Sequence, residues 1–80
     1  METNTDNKLS KKIGTKIKLL RTKLKISQEE LGFSAGLNKN SVGAIERGES
    51  SPTIDTLDQI SKALEISIVE LVDVSKIDLG

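Results

Sequence analysis

Residues 27–48, SQEELGFSAGLNKNSVGAIERG, decide the fold. Ser27 and Glu30 stand at S-x-x-E spacing just ahead of an apolar run, so that each side chain can accept a backbone N–H the first helical turn leaves unpaired. A helix is therefore expected from Gln28. Gly36 falls where that pattern breaks, and glycine enters a left-handed turn without steric cost, which ends the helix there. Asn38 is a good N-cap for a second helix, and Gly48, following Arg47, is the residue expected just past its end. The second helix then spans about Lys39 to Arg47, roughly two and a half turns at ~3.6 residues per turn.

On a helical wheel Lys39, Asn40, Gly43, Ala44 and Arg47 fall within one arc of roughly 140°. Val42, Ile45 and Glu46 lie outside it and form the expected core face. The first set has what entry into a DNA groove requires: a charged donor, an amide, small residues that permit close approach, and a cation for phosphate. Two short helices around a glycine turn, the second with such a face, have the sequence form of a DNA-reading helix-turn-helix. For an isolated segment of this length an ordinary surface helix would be the simpler reading; the two-helix context favours the groove.

The segment resembles, without a gap, the helix-turn-helix of the phage repressor and Cro family, also called XRE-like regulators. The resemblance extends to LLRTKLKISQEEL before the motif and SPTIDTLDQISKALEISIVELV after it, and so covers roughly Ile13 to Val72. It implies an all-α, compact five-helix domain that binds double-stranded operator DNA, usually as a homodimer, with the third helix in the major groove. Carried over by position, Gln28 resembles the family glutamine that contacts phosphate and steadies the recognition helix. Lys39, Asn40 and Ala44 match base-reading positions, Asn38 and Arg47 match positions that commonly touch phosphate, and Ser41 can reach either. What is read is not implied, because family members vary at these positions.

At 80 residues the chain has room for one small domain. Leu, Ile, Val and Phe number 24, or 30% of the chain, above the range of roughly under 20% that suggests disorder. Phe33 is the only aromatic residue, which disfavours the base stacking used by single-strand binders and leaves duplex DNA as the natural partner. Without cysteine or histidine there are no disulfides, no cysteine-histidine zinc sites and no catalysis by either residue; no cofactor or metal is expected. No apolar run approaches the ~20 residues of a membrane span and no signal-peptide pattern is present, so a cytoplasmic location is expected.

The formal net charge is zero, but it is unevenly spread. Lys8 to Lys25 holds eight basic residues and no acidic one, whereas Pro52 to Gly80 holds six acidic and two basic. The basic stretch is either a solvated helix face or a phosphate surface; beside the motif, Lys8, Lys11, Lys12 and Lys25 become phosphate candidates.

Residues 1–8 are expected to be a disordered arm, 9–74 the DNA-binding domain, and 75–80 a short tail. Leu9, Ile13, Ile17, Leu20 and Leu24 recur at the period of an amphipathic helix. Arg21 flanks that stripe, and a carboxylate on the core side of the next-but-one helix needs a partner, so Arg21 and Glu46 form a candidate structural ion pair; the resemblance points to the same positions. Thr53 can cap a helix carrying Ile54, Leu57, Ile60 and Leu64, and Ser67 with Glu70 is a second S-x-x-E box opening a short helix through Val72. The C-terminal stretch has more apolar side chains than one short helix can bury, so Ile68, Leu71, Val72 and Val74 are expected at a dimer interface. The alternative is that they complete the monomer core. No internal repeat is evident.

Three function classes follow: a transcriptional regulator on a two-fold symmetric operator, phage or restriction-modification controller-like; an autoregulating antitoxin of a toxin-antitoxin pair; or a protein-interaction module that keeps the fold without DNA. Gln28, Lys39, Asn40 and Arg47 argue against the last, its neutral net charge for it. An enzyme is not expected.

Overall fold

A computed structural model describes residues 8–79. Its five helices are α1 (Lys8–Lys23), α2 (Gln28–Ala35), α3 (Lys39–Glu46), α4 (Ile54–Ala63) and α5 (Ile68–Val72), with no strand among the described residues. Except for Lys8, which already belongs to α1, the expected N-terminal arm lies outside those residues. Each later helix starts on a side-chain cap. Ser27 Oγ accepts from the N–H of Glu30 while the Glu30 carboxylate accepts from that of Ser27, a complete capping box. Asn38, Thr53 and Ser67 likewise accept from the N–H groups of Ser41, Thr56 and Glu70.

The core gathers Ile13 and Ile17 of α1, Leu31 and Ala35 of α2, Val42 and Ile45 of α3, Leu57, Ile60 and Leu64 at α4, and Leu71 of α5. The periodic stripes are buried at their centres and open at their ends: Leu9 of α1 and Leu24 just beyond its end are exposed, and Ile54 at the start of α4 is 75% exposed. Phe33 is 88% exposed and adds nothing to the core. Leu71, expected at a dimer interface, is fully buried within the monomer and offers no surface to a second chain. Ile68 and Val74 pack partly against the same core. There the alternative reading of the C-terminal stretch describes the packing.

One regularity escaped the sequence reading. Residues 24–31 and 64–71 share the pattern L-x-I-S-x-x-E-L, and both fold into the same junction. Lys25 and Glu65 take left-handed backbone at φ 61° and 62°. The N–H groups of Ile26 and Ile66 then return to the carbonyls of Arg21 and Ser61 at 3.3 and 3.0 Å, closing a Schellman turn whose isoleucine packs on the core. A serine-capped helix follows each time.

The angle between α1 and α3 is set by a close approach and an ion pair. A Cβ at Gly14 would lie 2.2 Å from the Ile45 carbonyl oxygen and 2.7 Å from that of Glu46, so only glycine lets α1 sit against the end of α3. About two turns further along α1, the Arg21 guanidinium forks onto the Glu46 carboxylate, with Nε 2.6 Å from Oε2 and Nη2 3.1 Å from Oε1. Both side chains are buried, and Nη1 donates to the Ile26 carbonyl at 2.9 Å. The hydrogen bond to Glu46 raises the Arg21 pKa despite the opposing effect of burial, so the guanidinium keeps its charge. Midway along α1, Lys16 Nζ donates to the carbonyls of Glu70 and Asp73 and thereby holds α5.

Two outcomes are expected in denaturant melts. Arg21→Ala and Glu46→Ala should each cost about 3–5 kcal/mol, because either leaves a charge buried without its partner; unchanged midpoints would refute this. Lys25→Gly and Glu65→Gly should each gain about 0.5–1 kcal/mol by relieving left-handed strain, after the greater entropy of glycine in the unfolded chain is subtracted. A loss in both would show that the side chains hold those turns.

Candidate nucleic-acid interface

The turn between α2 and α3 runs through Gly36 at φ 75°, and the N–H of Leu37 returns to the Gly32 carbonyl at 2.7 Å. This short link holds the two helices at a fixed angle and leaves the N-terminal turn of α3 facing outward. Asn38, Lys39 and Asn40 are exposed there, and Ser41 and Ala44 are half-buried along the same side. Arg47, the C-cap of α3, is exposed at its far end.

One residue of this surface sits differently from the wheel. Gly43, in the middle of the expected groove-facing arc, is buried. A Cβ built on it would meet Arg47 Nη1 at 3.0 Å and Gln28 Oε1 at 3.5 Å, so the missing side chain is the space into which those two side chains lie. Close packing therefore accounts for this glycine in the free protein. Glu46 lies only about 20° from Lys39 on the wheel at ~100° per residue, at the boundary between the faces. It is buried because Arg21 from α1 and Gln28 from α2 close over it.

Gln28 Nε2 donates to Glu46 Oε1 at 3.0 Å, so the first residue of α2 braces α3 through the carboxylate that Arg21 already holds. Gln28, Gly43 and Arg47 thus form one contiguous group, joined by α3 to Lys39 and Asn40. Arg47 also meets an acid absent from the sequence reading: its Nε lies 3.0 Å from Glu49 Oε2. That hydrogen bond and the nearby negative charge raise the Arg47 pKa.

The lysine candidates are spread more widely. Lys11 packs across Gly48, where an added Cβ would meet its Cα at 2.9 Å. Ser10 and Ser51 share a hydrogen bond of 2.9 Å, so the start of α1 lies beside the loop that follows α3. Lys8 and Lys12 line a hollow with Ile77, Asp78 and Leu79 of the C-terminal tail, and Lys25 is exposed in the turn before α2. Gly14 and Glu49 are the residues sequence reasoning missed. A glycine inside the periodic pattern of α1 was a usable signal for the first; for the second, only the turn at Gly48 reveals the contact.

No group of acidic side chains suited to a metal ion occurs among the described residues, and no helix there is long and apolar enough to cross a membrane.

Comparison with known proteins matches this arrangement. The helix-turn-helix model HTH_3 fits residues 17–71, from the middle of α1 through α5. The control protein C.BamHI of Bacillus amyloliquefaciens is 35% identical over 65 residues, which are 80% of this chain and 80% of that one. The CTXphi transcriptional repressor RstR of Vibrio cholerae is 34% identical over 65 residues, covering 81% of this chain and 59% of the repressor. Among solved structures, the restriction-modification controller C.AhdI of Aeromonas hydrophila superposes with a TM-score of 0.76 at 35% identity, covering 78% of this chain and 94% of that one. The P22 c2 repressor, solved in complex with a synthetic operator, gives a TM-score of 0.72 at the same identity and the same coverage. With its match over most of the five-helix domain, the chain belongs to the HTH_3 helix-turn-helix family, whose members are transcriptional regulators rather than enzymes.

Proposed function

We propose that the protein binds an approximately two-fold symmetric DNA operator as a homodimer in the cytoplasm and there controls transcription, in the manner of a phage repressor or a restriction-modification controller. The observation that carries this reading is the outward N-terminal turn of α3, capped by Asn38 and braced from behind through Glu46 by both Arg21 and Gln28. A braced helix loses little further freedom on docking, which is what a reading element requires.

Lys39 and Asn40 read base edges in the major groove. An amide suits adenine and a lysine suits guanine. Ala44 and Ser41 approach the bases from the next turn. Asn38, Arg47 and Gln28 contact phosphates and fix the register of the helix on the duplex. Gln28 has two tasks, since its amide nitrogen already serves Glu46 and leaves the carbonyl oxygen and the remaining N–H as its free capacity.

The dimer surface is α5 with the adjoining face of α1. Val69 is 73% exposed and Val72 is exposed beside it, while Ile68 and Val74 contribute their uncovered edges. Leu19, also exposed, lies three residues beyond Lys16, which grips the end of α5, and so on the same side of α1. Two α3 helices in such a dimer would enter major grooves about 34–36 Å apart, or a multiple of that.

Gel-shift titration against the DNA upstream of the gene, with a scrambled duplex as control, tests the reading. Lys39→Ala and Asn40→Ala are expected to weaken the specific complex by about 1–3 kcal/mol each and to relax base preference locally, whereas Arg47→Ala weakens all sequences alike. Unaltered sequence preference in the first two variants would remove them from the reading surface. For the dimer, sedimentation of Val69→Asp and Val72→Asp should give a monomer where the parent protein gives a dimer, with helicity retained. Equal masses for parent and variants would rule out this surface.

A further inference from the structure

The contact between Arg47 and Glu49 lies at the surface, at the end of α3, away from the buried core. Beyond Arg47 the chain turns through Gly48 at φ 75°, and the N–H groups of Gly48 and Glu49 return to the carbonyls of Ile45 and Ala44 at 3.0 and 2.9 Å. This Schellman turn fixes the backbone of Glu49 against the end of α3 and brings its carboxylate back to the Arg47 guanidinium. Both side chains are 60% exposed, and Nε is 3.0 Å from Oε2. Such a surface pair contributes little to stability.

We propose that Glu49 limits the affinity of the protein for DNA by occupying Arg47 in the free state, the carboxylate standing where a DNA phosphate would otherwise be met. The inference rests on reading Arg47 as a phosphate contact. A phosphate approaching the guanidinium must displace the carboxylate or share the cation with it, and in either case it gains less from Arg47 than it would from an unpaired guanidinium. Phosphates carry no base identity, so the penalty applies to every sequence alike. Lys39 and Asn40, at the opposite end of α3, read bases unchanged. The effect is weaker binding and faster release from DNA in general, with sequence preference intact.

The test is a fluorescence-anisotropy titration of the full chain with a scrambled-sequence duplex over a series of salt concentrations, using E49Q, R47A and the double variant. E49Q should bind about three- to tenfold more tightly than the parent, with a salt slope steeper by up to about one. R47A should bind more weakly, and adding E49Q to R47A should change affinity less than twofold. Thermal melts of E49Q at the parental midpoint would exclude refolding effects. Parental affinity for E49Q alongside weakened R47A would overturn the inference and leave the phosphate role of Arg47 standing. A gain from E49Q that persists in the R47A background would also overturn it, since Glu49 would then act by direct repulsion. Parental affinity for R47A would remove the phosphate contact itself, and the inference with it.

Discussion

A single buried carboxylate, that of Glu46, organises this molecule. It takes two bonds from Arg21 and one from Gln28, and Arg21 reaches on to the carbonyl of Ile26 in the turn between α1 and α2. Three helices and one turn are thus referenced to two oxygen atoms. An apolar cluster of the same volume would hold the helices together at least as strongly, because desolvating a charged pair costs about as much as its attraction returns. Apolar contacts are non-directional, however, whereas a guanidinium fork on a carboxylate fixes distance and angle together. What the pair adds is orientation. The Gly14 contact requires the same thing from the opposite side, by allowing α1 to rest on the last carbonyls of α3. Recognition of base edges needs the helix to present the same atoms at every encounter, and both features serve that end.

Much of this was legible in the chain because it is written in local chemistry. The Ser27 and Glu30 box, Gly36, Asn38 and Gly48 define α2 and α3 within a residue, since caps and left-handed turns are decided by neighbours in sequence. Tertiary contacts were read less evenly. The wheel misplaced Gly43 because two long side chains from elsewhere lie over it, and a wheel knows nothing of other elements. Leu71 was assigned outward for a similar reason: α5 is too short to show which of its apolar faces meets α1 and α4. The contact between Arg47 and Glu49 depends on a backbone reversal at Gly48, and adjacency in sequence alone gave no sign of it.

The repeated junction explains how so small a chain keeps its helices in register. At both L-x-I-S-x-x-E-L segments a left-handed residue ends one helix, an isoleucine docks on the core, and a serine starts the next helix within four residues. Neither link leaves slack, so the directions of α2 and α5 follow from those of α1 and α4. The two copies differ in the residue that takes the left-handed backbone, Lys25 in the first and Glu65 in the second. Glycine would be easier at both sites. A charged side chain at each keeps the turn solvated, and the positive one belongs to the junction beside Gln28.

The zero net charge argues less against DNA binding than it first suggests. Exposed charges farther apart than about 10 Å at 0.1 M salt barely sense one another, while the described residues extend 40 Å along their longest axis. Acids such as Glu65 and Glu70 lie at the junction before α5 and on α5 itself, and Glu70 is paired with Lys16. Glu49 is different, since its carboxylate is within hydrogen-bond distance of the guanidinium that the phosphate would approach. For a regulator, the count that governs affinity is taken within a Debye length of the groove-facing surface. An acid paired with Arg47 takes a cation out of that count, which acids on α4 and α5 do not.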